Sequence, residues 1–389
     1  MESIRSDLNG KQFMKFLRRN SNANNESRRR PLLITYFQEP MNALEIQTRN
    51  LSHQHKIIGS SSSNSGGYYD AGDNVKFIGP MSYSMTLLSW AATEYEAGLS
   101  SCFQLDHSLP AIRWGTDYIL QVHTSPTTFY AQVGDANNDH KCWERPEDMD
   151  TPGTEVTAEA AAASITFERI DPTYSAKLLK GSKSLFEFAD KHRGSFQGSC
   201  PFYCSYSGFQ DDLLWAASWL FKATGEDTYL NYVSSNEGWI QKSNEFSWDT
   251  NIQGPRWNKK LSKFKSDVDA FVCSVMPGSS AQQIKTTPGG LMFFRESSNL
   301  QYVTSNTMLL FSPSKIKDFA KSQVDYILGK NPKKMSYMVG YGSTFPKQVH
   351  HRASSIPSIQ SHPAKVGCDD GMADGTNYIS RRSTRNMFT

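Results

Sequence analysis

Two aspartates, Asp70 and Asp73, stand close together in the segment YYDAGDNVKF. Gly72 between them allows a turn tight enough to bring both carboxylates into one space. Two close carboxylates differ in proton affinity, so one can stay ionised as a base while the other helps to hold a water molecule. Hydrolysis needs such a base. An Asx turn or a helix cap is the alternative, and this motif alone leaves both interpretations open.

The elements that must position these carboxylates are helical. After Tyr68 the chain alternates helical patterns of ~10 to 20 residues with loops rich in Gly, Pro and Asn. Period-two patterns are nearly absent, which disfavours βαβ and sandwich folds, whereas a solenoid is not excluded by pattern alone. The predicted helices are Met81–Glu96, Leu109–His123, Val156–Glu168, Tyr174–His192, Asp211–Thr224, Ser266–Val275, Asn299–Leu310 and Lys315–Leu328.

Apolar residues cover a wide arc of several of these helices, as in DDLLWAASWLFKATG, which is expected when a helix is covered on two sides. The long loops hold most of the Asp, His, Trp and Tyr clusters, so the chemistry is predicted on one face built of loops. An α/α barrel is organised in this way. The first ~65 residues, through SNANNESRRR and SSSNSGG, have the composition of a poorly structured segment with a linker.

Composition and charge exclude several partners. The chain has 389 residues and a formal net charge of +3, too close to balance to imply a nucleic-acid partner. No apolar run approaches the ~18 to 20 residues that span a bilayer, and Met1–Leu17 has no signal-peptide core. The six cysteines are too dilute for a disulfide scaffold, leave the redox compartment open and lack paired CxxC spacing. We predict no metal, no cofactor and no membrane partner.

Five segments in one order resemble plant endo-β-1,4-glucanases (cellulases) of glycoside hydrolase family nine and cover roughly two thirds of the chain. They are YYDAGDNVKFIGPMSYSMTLLSW, YAQVGDANNDHKCWERPEDMDTP, CPFYCSYSGFQDDLLWAASWLFKATG, SNLQYVTSNTMLLF and DYILGKNPKKMSYMVGYGSTFPKQVHHRASSIPS. The resemblance implies an all-α fold, an (α/α)6 barrel that we expect to be incomplete at both ends. It also implies a monomer with an open cleft, which hydrolyses β-1,4-glucan with inversion.

The same resemblance assigns roles to polar residues. Asp73 matches the base that activates water and Asp70 matches its helper, in agreement with the argument from the two carboxylates. His140 matches a sugar-binding histidine, and His350 and Arg352 in VHHR match the active-site signature, His350 among the catalytic residues and Arg352 among the substrate-binding residues.

A metal pair or an interior histidine are the alternatives for His350 and its neighbour His351. Adjacent histidines on an irregular loop point apart, and no HExxH or carboxylate spacing supports zinc. A sugar contact is therefore the interpretation that we retain.

Five aromatic residues match segments that line the family's cleft. Pyranose rings present apolar C–H faces, so a cleft for a glucan needs flat aromatic platforms bordered by hydrogen-bond donors. A single aromatic residue more often belongs to a core. For Tyr203 and Tyr206, however, the neighbouring Cys, Ser and Gly residues favour a place in the cleft. The predicted substrate-binding aromatics are Trp143, Tyr203, Tyr206, Trp248 and Tyr302.

The sequence departs from the family after HPAKVGCDDG. The family places there a glutamate that protonates the leaving oxygen, whereas Glu296 is the last glutamate of this sequence. We expect the loss of assistance that typically contributes ~10² to 10⁴-fold. The alternative function is a catalytically impaired pseudoenzyme that binds glucan. An all-α interaction scaffold ranks last, because it leaves the carboxylate and aromatic loops unexplained.

Three regions follow from these matches. We predict a divergent, poorly ordered segment at 1–65, a catalytic domain like that of the family at 66–370 and a non-family tail at 371–389. The resemblance further implies an extracellular or cell-wall location, although the sequence shows no signal peptide.

Overall fold

Helices form most of the part of the chain that the computed structural model describes. The described residues are 66–144, 148, 161–239, 243, 245–250, 262–282, 284–296, 298–310, 316–346, 356 and 359–368. The helices in them are α1 (Ile78–Glu94), α2 (Glu96–Ser101), α3 (Leu105–Val122), α4 (Ala136–Lys141), α5 (Ala161–Phe167), α6 (Pro172–Lys191), α7 (Gln210–Thr224), α8 (Asp227–Ser235), α9 (Ser262–Val275), α10 (Asn299–Leu310) and α11 (Lys317–Ile327), with a 3-10 turn at Glu237–Trp239.

Each of the eight predicted helices overlaps a helix in the described part of the chain, although residues 156–160 of the predicted Val156–Glu168 and Lys315 of the predicted Lys315–Leu328 lie outside the described residues. The helix ends show where local pattern is a weak guide. The structure starts α1 at Ile78, ahead of the predicted Met81, with Pro80 inside the first turn. Proline is tolerated there because the first N–H groups of a helix have no intrahelical acceptor. The sequence analysis missed α2, α4 and α8, which are too short to show a clear period.

Six strands of two or three residues accompany the helices in the described part of the chain. They are β1 (Lys76–Phe77), β2 (His123–Ser125), β3 (Thr128–Phe129), β4 (Gln132–Val133), β5 (Lys285–Thr286) and β6 (Met292–Phe293). Each pairs antiparallel with one other, in the pairs β1 with β4, β2 with β3, and β5 with β6. The β1 and β4 pair joins the segment after the aspartate turn to the segment before α4, with Lys76 opposite Val133.

The core is built around α1, which is buried on almost all sides. Helix α1 packs against α3 and α5, while α7 packs against α5, α6 and α8. The rings of Trp90, Trp215 and Trp219 meet edge to face, with centroids 5.7 to 6.2 Å apart. At the α1–α3 contact a Cβ on Gly115 would lie 2.3 Å from Met85 Sδ, so a larger residue there would require the Met85 side chain to move.

Two disulfide bonds connect the described residues. Cys142, just after α4, bonds Cys368, and Cys200 bonds Cys204 in the loop before α7. The first bond joins residues 226 apart, and the chain-entropy model assigns such a loop about 5 kcal/mol of stabilisation. In the described part of the chain, every helix is too short or too polar to cross a membrane.

Candidate active site

The turn that carries Asp70 and Asp73 is closed by two backbone hydrogen bonds. The N–H of Asp70 donates to the carbonyl of Val75 at 3.0 Å, and the N–H of Asp73 donates to the carbonyl of Asp70 at 2.6 Å. Within the turn, Ala71 and Gly72 have positive φ values of 43° and 96°. Glycine adopts such a φ without steric cost, so Gly72 supports the tight turn that the sequence predicts. Both aspartates therefore project from one short, braced segment.

Asp70 is held by a tyrosine from a distant segment. The hydroxyl of Tyr203 donates to Asp70 Oδ2 at 2.7 Å, and Asp70 is only 7% exposed. The Tyr203 ring is itself fixed, since its centroid lies 4.8 Å from that of Phe77 and 5.0 Å from that of Trp248. A hydrogen bond to a carboxylate is short and strong when the acceptor is charged. Asp70 is thus an oriented group whose Oδ2 accepts the Tyr203 hydroxyl.

Asp73 faces a histidine on the more open side of the turn. Its Oδ2 lies 3.5 Å from His140 Nε2, with 19% of the Asp73 side chain exposed. His140 Nδ1 lies 2.8 Å from the carbonyl of Ala136, which assigns a proton to Nδ1. Nε2 can then accept a hydrogen bond, or pair with Asp73 when the ring is protonated. The ring is stacked on Phe202, with centroids 4.0 Å apart.

Helix α4 places His140 beside the turn. Asp135 caps the helix, and its side chain accepts from the N–H groups of Asn137 and Asn138 at 2.9 and 3.1 Å. An aspartate before a polar turn is a helix-start pattern that could have revealed α4 in the sequence. Asp139 on the same helix is buried, and its Oδ1 accepts from the N–H of Asn74 at 3.0 Å. This hydrogen bond links α4 to the segment that follows the aspartate turn.

One group of described residues has a spacing that suits a cation. Asp73, Asp139 and His140 each place one oxygen or nitrogen within 4.8 Å of the others. Hydrogen bonds of Asp139 Oδ1 and His140 Nδ1 with backbone groups account for the positions of these two side chains. We derive no metal chemistry from this group, and the absence of a metal site remains a prediction.

Three of the predicted aromatics lie close together in the structure. Tyr206 is 76% exposed, and its backbone N–H donates to Asp249 Oδ1 at 2.9 Å. Trp248 precedes that aspartate and packs edge to face on Tyr203. We refer to Tyr203, Tyr206 and Trp248 together as the aromatic surface; of these, Tyr203 contacts both Trp248 and Asp70.

Two other predicted aromatics are buried instead. Trp143 is 8% exposed and packs with Ile356 and Val366. Tyr302, on α10, is 6% exposed and is covered by the Arg295 guanidinium at 4.8 Å from its ring centroid. Both side chains have the packing of core residues. The sugar contact proposed for them from the sequence remains a prediction. His350 and Arg352 lie outside the described residues.

Asp249 was not singled out in the sequence, although it directly follows Trp248. Burial raises the pKa of Asp249 to about 6, and hydrogen bonds from the N–H groups of Tyr206 and Ser207 oppose the shift. These bonds connect the loop of Asp249 to the loop that presents Tyr206. The carboxylate therefore helps to shape the aromatic surface.

Lys76 is the second residue that sequence reasoning missed. It is 2% exposed, and its Nζ donates to the carbonyl of Gly66 at 2.5 Å. The ammonium lies 4.9 and 4.3 Å from the ring centroids of Tyr69 and Tyr118. Burial lowers the pKa of Lys76 to about 7. The Nζ–O contact joins the two ends of the segment that carries both aspartates.

Comparisons with known proteins agree with the fold. The family model described as glycosyl hydrolase family 9 matches residues 37–385. The chain is 58% identical to an endoglucanase of Phaseolus vulgaris over 357 residues, 80% of this chain and 72% of that protein. It is 56% identical to endoglucanase 18 of Arabidopsis thaliana over 353 residues, 79% of this chain and 74% of that protein.

Solved structures give the same assignment. An endoglucanase from the termite Nasutitermes takasagoensis superposes with a TM-score of 0.73 at 30% identity, covering 96% of this chain and 89% of that chain. The cellulase Cel9M of C. cellulolyticum superposes with a TM-score of 0.70 at 29% identity, covering 86% and 85%. These neighbours confirm the predicted (α/α)6 barrel. With the family model matching most of its length, this chain belongs to glycosyl hydrolase family 9.

Proposed function

We propose that this chain is an endoglucanase that cleaves β-1,4-glucan with inversion, and that Asp73 is its general base. The observation that carries the proposal is the unequal setting of the two aspartates. Tyr203 donates to Asp70 and holds it in a buried position, whereas Asp73 stands on the more open side beside His140. Two carboxylates from one turn thus have environments suited to different tasks.

The chemical step follows from this division of roles. Asp73 takes a proton from a water molecule, whose oxygen attacks the anomeric carbon on the face opposite the leaving oxygen. The bond between that carbon and the leaving oxygen breaks, and a separate acid protonates the oxygen. Asp70 orients the attacking water. We assign none of the described residues to the acid role.

The aromatic surface supports a glucan as the substrate. Tyr206 is largely exposed, and Trp248 packs edge to face on Tyr203, whose hydroxyl bonds Asp70, so aromatic rings lie next to Asp70. Pyranose rings stack on the faces of such rings. Among the similar structures, Cel9M has been solved in complex with cellobiose and CelQ of Clostridium thermocellum with cellotriose. These sugars are short β-1,4-glucan fragments.

We further propose that the protein acts as a monomer outside the cell. Two disulfide bonds join described cysteines, and such bonds persist in oxidising compartments.

Product stereochemistry tests the proposed reaction. The purified chain is incubated with cellopentaose, and proton NMR follows the anomeric signals of the new reducing ends. Inversion releases the α-anomer first, which then equilibrates with the β-anomer. Early release of the β-anomer contradicts inversion. Saturable binding without sugar release contradicts hydrolysis and favours the pseudoenzyme.

Replacing Tyr203 with phenylalanine tests the hold on Asp70. The substitution keeps the ring but removes the donor to Asp70 Oδ2. A hydrogen bond to a charged group contributes about 1.5–3 kcal/mol, so we expect kcat on soluble cello-oligosaccharides to fall ~10-fold or more with little change in KM. Tyr232→Phe is the matched control, because the Tyr232 hydroxyl also donates to an aspartate, Asp190, at 2.6 Å. Equal losses in the two variants would contradict a specific role for Tyr203.

A further inference from the structure

The connection between α6 and α7 contains a short loop that is closed by a disulfide bond. Cys200 and Cys204, four residues apart in the sequence CPFYC, are bonded to each other. We refer to residues 200–204 as the disulfide loop. Two of its members, Phe202 and Tyr203, contact groups around the aspartate turn. One short covalent loop therefore reaches both parts of the candidate active site.

The two aromatic residues of the disulfide loop support different aspartates. The Tyr203 hydroxyl donates to Asp70 Oδ2 at 2.7 Å. The Phe202 side chain is stacked on the His140 imidazole, with ring centroids 4.0 Å apart. His140 Nε2 in turn lies 3.5 Å from Asp73 Oδ2. Asp70 and the histidine beside Asp73 are thus both contacted from the same loop.

Hydrogen bonds and the disulfide hold this loop together. The backbone N–H groups of Phe202 and Tyr203 both donate to the carbonyl of Ser199, at 2.9 and 3.0 Å. The disulfide adds a covalent link from Cys204 back to Cys200. When that link is broken, the bonds to Ser199 remain, but the backbone on both sides of Tyr203 gains conformational freedom. The disulfide therefore restricts the two residues that face the aspartates.

The effect of this disulfide is expected to be local. In the chain-entropy model, the stabilisation by a disulfide grows with the number of residues that it encloses. Cys200 and Cys204 are 4 residues apart, whereas Cys142 and Cys368 are 226 apart. The short bond therefore contributes less to the stability of the whole fold than the long one, and its main effect falls on the loop itself.

We propose that the Cys200–Cys204 disulfide is a positioning element for the aspartate turn, and that its reduction by a dithiol lowers the rate of glucan hydrolysis. The effect on the rate rests on the proposed function, whereas the positioning of His140 does not.

The reduction is an ordinary thiol–disulfide exchange. Cys200 is partly exposed and Cys204 is 9% exposed, so a thiolate of the dithiol attacks the sulfur of Cys200. The S–S bond breaks, and the second thiolate of the dithiol releases Cys200 from the mixed disulfide. Two protons and two electrons pass from the dithiol to the cysteines. The products are two protein thiols and a cyclic disulfide.

Replacement of both cysteines by serine tests the positioning. In Cys200→Ser/Cys204→Ser we expect kcat on cello-oligosaccharides to fall ~10-fold or more, because the charge-assisted bond from Tyr203 to Asp70 is weakened when the loop moves. KM and the temperature of thermal unfolding should change little. Cys273→Ser is the control, because it removes an exposed free thiol of α9, and it should keep the parent rate. An unchanged kcat in the double variant, or a change confined to KM, overturns the proposal.

Reversible reduction of the parent chain identifies the bond. The protein is incubated with dithiothreitol for increasing times, the hydrolysis rate is measured, and thiols are trapped by alkylation for peptide mass mapping. The rate should fall with the reduced fraction of Cys200–Cys204 and return on reoxidation. A rate that follows Cys142–Cys368 instead, or a Cys200–Cys204 bond that dithiothreitol does not reduce, overturns the proposal. This experiment decides the outcome if the double variant does not fold.

The His140 imidazole gives a readout that does not depend on hydrolysis. Because the Phe202 side chain is stacked on it, its NMR signals are displaced by the ring current, and His140→Gln assigns them. In Cys200→Ser/Cys204→Ser, or in the reduced parent chain, they should move toward the positions of free histidine. The signals of His107, an exposed residue of α3, should not move.

The two readouts separate this proposal from the proposed hydrolysis. Unmoved His140 signals overturn the positioning role, whether or not the chain releases sugar. Displaced His140 signals in a chain that releases no sugar support the positioning role and contradict the proposed hydrolysis alone.

Discussion

Replacing Asp73 with asparagine should lower kcat for glucan hydrolysis by ~10² to 10⁴-fold, the usual contribution of a positioned general base. The amide keeps the size of the side chain but cannot take the proton from water. Because we propose that the aromatic surface binds the substrate, we expect the affinity for cello-oligosaccharides to change little. Initial rates of reducing-end release and calorimetric titration measure the two quantities.

Asp106→Asn provides the matched control for this variant. Asp106 is an exposed residue in the first turn of α3, so its charge can be removed without affecting the site. We expect rates within twofold of the parent protein, an effect of less than about 0.5 kcal/mol. Retention of the parent rate in Asp73→Asn would show that a different group is the base.

Replacing Lys76 with methionine should lower kcat by ~10²-fold without a comparable change in KM. Lys76 lies below the surface, and its bond to the carbonyl of Gly66 closes the segment that presents both aspartates. Loss of this bond lets the aspartate turn move, and a displacement of about 1 Å far from the chemistry can cost ~10²-fold. Lys177→Met is the control, because Lys177 pairs with Asp117 on the surface. A rise in KM with constant kcat would contradict positioning.

The pH dependence of stability gives a second test of Lys76. Burial lowers its pKa from 10.5 to about 7, while an unfolded lysine stays protonated up to about pH 10.5. Between these values the unfolded state binds one proton more, so the free energy of unfolding rises with pH. Lys76→Met should lack this rise, whereas Lys177→Met should keep it. Urea denaturation at pH 6, 8 and 10 measures the difference, and equal slopes in the three proteins would contradict a buried lysine.

Local pattern was sufficient for the aspartate turn and for eight of the eleven helices in the described part of the chain, but not for the short helices α2, α4 and α8. The predicted helices were recovered because a period of 3.6 residues and a wide apolar arc are properties of single segments. The turn that joins Asp70 and Asp73 was likewise visible, because Gly72 acts within four residues of chain. The five ordered blocks then identified the family, which the family model and the plant relatives confirm.

Contacts between distant segments could not be read in the same way. The bond from Tyr203 to Asp70 joins residues 133 apart, and the burial of Trp143 depends on Ile356 and Val366. The sequence analysis proposed a sugar contact for Trp143 and Tyr302 because their segments match the family. The structure buries both side chains, since exposure depends on which segments pack over a residue.

By itself, the sequence determined the helical class of this protein, its family and the turn that carries Asp70 and Asp73. The tertiary structure alone decided that Asp70 is engaged by Tyr203, that Asp73 faces His140, and that Lys76 is buried and bonds the carbonyl of Gly66. The physical reason is the separation in sequence of the residues that produce each feature. Backbone conformation and periodicity arise from neighbouring residues, whereas burial and hydrogen-bond partners arise only when distant segments pack together.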